Sequence, residues 1–193
     1  MRRRTLLALG GSALSLSVAG CLDAPGSGLS GTQVEPLPGS PDVDCSESSR
    51  PQPESQGGEE VVQPVDYPGR PPEQLDDESA VEYVQQFEEA YRTNEQIAEV
   101  DRLQRVSVSI VETRTFDAPD EAAVVRLHTH YSGNAAGIEN EQPSMNFDSW
   151  DVMVSYYLDQ ALVVRTETHR SVVDIAELDP DPWESGEPVA CFA

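Results

Sequence analysis

The sequence predicts an α+β domain in which one N-terminal helix packs on a four-stranded antiparallel sheet. Two observations carry this expectation. Apolar side chains recur at near-helical spacing over residues 78–99, and from residue 104 the period changes to two and persists through four segments separated by turn residues. One helix followed by a run of strands is the order of an α+β fold.

The helix begins near Asp77 to Ser79. Asp76 and Asp77 place negative charge at its start, and Ser79-Ala80-Val81-Glu82 has the pattern of a capping box. Val81, Val84, Phe87, Tyr91 and Ala98 form an apolar stripe, flanked by Ala80, Ala90 and Ile97. Glu82, Gln85, Gln86, Glu89 and Arg92 lie on the opposite face, which is expected to be solvated.

A first strand spans about 104–116, where Val106, Val108 and Ile110 alternate with Ser107 and Ser109, and Asp117-Ala118-Pro119-Asp120 turns the chain. The second, about 121–131, puts Val125, Leu127, Thr129 and Tyr131 on one face and Arg126, His128 and His130 on the other. Residues 132–146 read as a long loop. A third strand, about 147–158, alternates Trp150, Val152, Val154 and Tyr156 against Asp151, Met153 and Ser155. The fourth, about 161–173, sets Leu162, Val164, Thr166 and Thr168 against Arg165, Glu167 and His169, and the tail from 179 to 186 is prolyl and acidic. Such a sheet has an apolar face for the helix and a polar face open to water, on which Arg126, Asp151, Arg165 and Glu167 would form ordinary cross-strand pairs. The order of elements over residues 78–173 is similar to that of cystatin-like and NTF2-like rolls. That resemblance is topological and rests on no signature motif.

Ahead of this domain (73–193) the composition is different. Residues 22–72 hold 10 of the 15 prolines and 7 of the 13 glycines, which reads as a disordered linker. Residues 1–20 read as a signal peptide. Arg2, Arg3 and Arg4 precede an uncharged stretch from Thr5 to Gly20, too short to span a bilayer as a helix. It ends in Val18-Ala19-Gly20-Cys21, small residues before a cysteine, as lipid attachment after cleavage requires. The segment resembles the signals of haloarchaeal and bacterial lipoproteins, and the consecutive arginines resemble those of the twin-arginine route. The resemblance implies lipidation at Cys21 and a place on the extracellular face of the cell membrane.

Removing the three signal arginines takes the net charge from −23 to −26, and the chain has no lysine at all. Acidic excess of this size is penalised by self-repulsion unless salt screens it, since multimolar salt shortens the screening length to about 3 Å. The composition resembles that of proteins of extreme halophiles. It also excludes nucleic-acid binding, for no basic patch is available to neutralise phosphates. With Cys21 lipidated, Cys45 and Cys191 remain as an even pair in an oxidising compartment, and a bridge between them is expected.

Candidate sites are few. His128 and His130, at i and i+2, point the same way, and with His169 and Asp151 they could ligate zinc or copper, although no recurring ligand spacing accompanies them. Thr129, Tyr131, Trp150, Tyr156 and Thr166 could line a small pocket on the inner face. No catalytic motif is present and no cofactor is implied. The sequence therefore points to a lipid-anchored envelope protein with a non-catalytic module that binds an envelope protein or small ligand. The alternative is a small NTF2-like enzyme or ligand carrier using an inner pocket.

Overall fold

A computed structural model describes residues 39–57, 60–137, 144–169 and 177–192. The signal, Cys21, the centre of the 132–146 loop and residues 170–173 of the expected fourth strand lie outside the described residues. The architecture is α+β, with one long helix on an antiparallel sheet. Six strands are present among the described residues, rather than four.

Helix α1 covers Asp77–Glu99. Its capping box is not the expected Ser79/Glu82 pair but lies one turn earlier: Asp76 Oδ1 accepts the Ser79 N–H at 2.8 Å, and Ser79 Oγ accepts the Asp76 N–H at 3.1 Å. The buried stripe is wider than expected and includes Tyr83, Glu88 and Arg92, while Ala98 is exposed. At the other end the side chain of Gln56 closes the helix. Its Nε2 donates to the carbonyls of Ile97 and Val100, two of the terminal acceptors that a helix cannot satisfy itself, and its Oε1 accepts the Arg102 N–H.

Strands β1 (Leu103–Phe116) and β2 (Ala123–Ala135) follow the predicted alternation, with a bulge in β1 between Ile110 and Glu112. The expected third strand is split into β3 (Met145–Asp148) and β4 (Val152–Leu158), both paired to β2 at successive positions. Ser149 makes the step: its N–H donates to Tyr131 O and its Oγ accepts the Tyr131 N–H, both at 2.8 Å, so a side chain replaces a rung of the ladder. β3 lies where Gly133 faces Phe147. A Cβ there would come within 2.4 Å of the Phe147 ring and 2.5 Å of Arg105 O, so only glycine fits this contact.

Strand β5 (Leu162–Thr168) is followed by a short turn of helix, α2 (Pro182–Ser185), within the expected tail of residues 179–186, and by β6 (Glu187–Cys191), where no strand was expected. The sheet order is β1-β2-β4-β5-β6, with β3 beside β2. β6 is held by β5 and by the Cys45–Cys191 disulfide, whose Cα atoms are 5.9 Å apart, as the pairing of cysteines predicts.

The phase of β5 is opposite to the expected one. Arg165 pairs with Tyr156 and Glu167 with Val154, so Val163, Arg165 and Glu167 face the helix, and Leu162, Val164 and Thr166 face away. The away face is not open to water over this half of the sheet. Val124, Tyr157, Leu162 and Val164 form a second buried cluster beneath Val43, Phe116 and Leu178, and Trp183 stacks edge-on to Tyr157 at 5.3 Å. The main core lies on the other face, where Tyr83, Val84 and Phe87 of α1 meet Val125, Leu127, Val154, Tyr156 and Val163.

Much of the proline-rich segment also packs. Asn94 of α1 exchanges two 2.8 Å hydrogen bonds with the backbone of Val65, and Tyr67 stacks on Phe87 at 5.0 Å. Tyr83 Oη donates to Gly69 O, and Gln160 Nε2 donates to Pro71 O. Prolines lower the entropy that this segment has to lose, and side chains of the domain satisfy its backbone, so little apolar burial is needed to order it.

Candidate functional site

Between α1 and the sheet lies a cluster of charges that the sequence expectations had placed in water. Glu88 is fully buried. Its Oε1 accepts from Arg92 Nε at 2.8 Å and from Arg165 Nη2 at 3.3 Å; its Oε2 accepts from Tyr156 Oη at 2.5 Å and from Arg165 Nε at 3.0 Å. Arg165 also reaches Glu167 at 2.6 Å, and Arg92 reaches Glu95 at 2.7 Å and Glu167. Aromatic rings close the cluster: Arg165 lies 3.9 Å above the Tyr91 ring and Arg92 lies 5.2 Å from that of Tyr131.

Local geometry assembles most of it. Glu88, Arg92 and Glu95 are spaced i, i+4 and i+7 along one helix face, Arg165 and Glu167 alternate on one strand face, and the β4–β5 register brings Tyr156 opposite Arg165. Sequence reasoning missed Glu88 and Glu95 and put Arg92, Arg165 and Glu167 on solvated faces. A signal was available in the continuation of the Val84 row by Glu88 and Arg92, since residues 22–193 hold only nine arginines.

Burial pushes the Glu88 carboxyl up, but the guanidinium groups of Arg165 and Arg92 outweigh it and hold the group below the usual carboxylate range. The Tyr156 hydroxyl is driven well up by burial and by Glu88. Burial also acts upward on Glu167, yet Arg165 and Arg92 bring it down to about 2. In Glu95 burial prevails over Arg92 and the carboxyl rises. An ionised carboxylate whose two oxygens already hold four donors has no proton to give and no lone pair free to take one, so Glu88 is unsuited to acid–base chemistry.

The pH dependence follows from Glu167. Its carboxyl is lower in the folded chain than in the unfolded one, so its contribution to stability is complete above the unfolded value of 4.5 and is lost as pH falls from there toward about 2. Acid unfolding monitored by circular dichroism is therefore expected to have a component in this window. The component should disappear in Glu167→Gln; a Glu167→Gln profile superimposable on that of the native chain would contradict this assignment.

The predicted pocket residues do not form one pocket. Thr129 and Tyr156 are fully buried on the helix face, Tyr131 is partly buried there, and Thr166 lies on the other face with its hydroxyl 2.8 Å from that of Ser185. Trp150 is 84% exposed. The histidines do not converge either. His128 Nε2 lies 3.1 Å from Asp151 Oδ1 without the alignment of a hydrogen bond, and His130 Nε2 lies 2.7 Å from Asp148, a carboxylate in the expected loop-to-strand boundary that sequence reasoning did not single out. His169 contacts Glu167, at 3.4 Å, because the phase of β5 takes it away from the other two. Among the described residues no three His, Cys, Asp or Glu side chains come together as a metal site.

Surface features are more open. A groove of about 460 Å³ runs along Arg105, Gly133, Asn146, Phe147 and Asp148 at the β2–β3 corner, and exposed Met145 and Trp150 belong to the β3 segment and its connection to β4. Among the described residues no helix is long and apolar enough to cross a membrane. No family model, no curated protein and no solved structure matches this chain, so its reading rests on its own geometry.

Proposed function

We propose that this chain is a lipid-anchored protein on the extracellular face of a halophile's cell membrane, whose folded part is a non-catalytic binding module for an envelope protein or small ligand. The observation that carries the reading is the saturation of Glu88: the buried ion cluster between α1 and the sheet is engaged with itself, which leaves recognition to the surface. A cystatin-like or NTF2-like roll is the fold reading that goes with it, supported by the helix followed by the adjacent strands β1, β2, β4 and β5. Exposed Trp150 and Met145 supply apolar surface of the kind that partners bury. The twin-arginine-type signal, Cys21, the acidic surface and the Cys45–Cys191 bridge support the address.

Three measurements on native membranes test it. The intact mass is expected to show a chain starting at Cys21 with a lipid-sized adduct, and Cys21→Ser is expected to move the protein out of the membrane fraction. A photo-reactive residue at Trp150 should cross-link a discrete partner, whereas one at buried Ala90 should not. A chain still attached after Cys21→Ser would end the lipid assignment, and silence at both Trp150 and Met145 would end the surface-binding one.

A further inference from the structure

The proline-rich segment forms one wall of a groove beside α1. A groove of about 440 Å³ opens between residues 50–53, residues 64–67 and Asn94 of α1, lined by Arg50, Pro53, Pro64, Val65, Asp66 and Tyr67 among others. Its polar groups are mostly committed. Asn94 is bonded to the backbone of Val65 on both sides of its amide, and Tyr67 Oη donates to Pro51 O at 2.9 Å.

Arg50 is different. Its guanidinium lies 4.4 Å from the centroid of the Tyr67 ring, which itself rests on Phe87 of the core. Nη1 of Arg50 is shut off from solvent and has no hydrogen-bond acceptor among the described residues. A buried donor left without an acceptor is unfavourable, the more so when the group is charged. In a chain that carries 35 acidic residues, this cation has no carboxylate partner among the described residues although its side chain lines an open groove.

We infer that this groove binds a small organic monocarboxylate, held by the Nε–Nη2 edge of the Arg50 guanidinium, Nη1 being enclosed, with its apolar body against Pro53, Pro64 and Val65. A planar guanidinium suits a carboxylate, whose two oxygens match two parallel N–H bonds, better than it suits a spherical halide. Asp66 on the rim repels a second negative charge, which selects a monoanion over phosphate or a dicarboxylate. Pro53, Pro64, Val65 and the Tyr67 ring give the groove an apolar side for the body of the acid, while Gln52, Asp66 and Asn94 line the rest. The inference rests on the reading of the folded part as a binding module and assigns that module a ligand and a place.

Titration calorimetry of the full chain at constant chloride, with N-acetyl-leucine and with N-acetyl-leucinamide, tests it. The two probes share a body and differ in charge. The acid is expected to bind saturably and at least tenfold more tightly than the amide, a difference of about 1.4 kcal/mol. Arg50→Gln should erase the difference, and Arg50→Lys, which keeps the charge and loses the fork, should retain part of it. Equal binding of acid and amide, no saturable heat from the acid in the millimolar range, or unchanged discrimination in Arg50→Gln would each overturn the inference. The acid–amide comparison uses the unaltered protein and does not depend on any variant folding. Cross-linking from Trp150 shares no residue with this groove, so the failure of one reading is separate from the failure of the other.

Discussion

Glu88→Ala is expected to cost about 3–5 kcal/mol of folding stability, the range for breaking a buried ion pair and leaving its partners uncompensated. Arg165 would lose two hydrogen bonds and Arg92 one, in an interior where each is at most 6% exposed. Glu167 and Glu95 remain near them but lie at the edge of the cluster, partly exposed, and cannot fill the position that Glu88 occupies beneath Tyr156. Equilibrium urea unfolding, in the salt that keeps the protein folded, is the measurement. A partner experiment separates charge from volume. Glu88→Leu combined with Arg165→Met replaces the pair by apolar groups of similar size and should recover more than half of the loss, since a desolvated pair is often matched by hydrophobic packing. A Glu88→Ala variant within about 1 kcal/mol of the native chain would mean that water enters the cluster and that the helix is not locked to the sheet by these charges.

Replacing Cys45 and Cys191 together by serine is expected to cost about 2–5 kcal/mol, because the bridge joins residues 146 apart and restricts the unfolded chain accordingly. The loss should be uneven. β6 has only five residues, with Pro188 among them, and the segment around Cys45 is tied to it otherwise by the Ser49 N–H donating to Pro188 O. Amide exchange in the double variant should therefore accelerate first in β6 and residues 43–49, before α1 and β2 are affected. Uniform acceleration throughout the domain would show instead that the bridge acts only on the unfolded state.

How much of this was legible in the sequence depended on whether a pattern was local. α1 could be read because 23 residues carry its period, and β1 and β2 because their alternation is long. β5 could not be phased in the same way. Leu162, Val163 and Val164 are all apolar, so either parity could face the helix, and the usual rule that charged residues face water chose the wrong one. The rule failed because the other face is covered by residues from both ends of the described chain, around Val43 and Leu178, which no local window contains. Glu88 was illegible for a related reason. One acid in an amphipathic helix looks solvated, and its partners Tyr156 and Arg165 are 68 and 77 residues away. The i, i+2 histidines and Asp151 were legible on one face from the strand alternation, yet Asp148, the partner of His130, ends β3 at a step that depends on Ser149 and not on any repeating pattern. Arg50 lay in a segment whose composition predicts no fixed structure, and it acquires one from contacts with α1.

The placement of the disulfide also determines how the domain responds to tension. Force applied to the chain ahead of residue 39 enters the fold at Cys45 and passes through a covalent bond into β6. Stripping residues 39–44 from the surface would release only about 20 Å of chain before that bond is taut, at the extended reach of 3.3–3.6 Å per residue. Beyond that point the load falls on the short β5–β6 ladder, while everything between residues 45 and 191 is a closed loop that cannot lengthen. A pull on the chain ahead of residue 39 would thus shear one edge strand and leave α1, the ion cluster and the Arg50 groove unstretched.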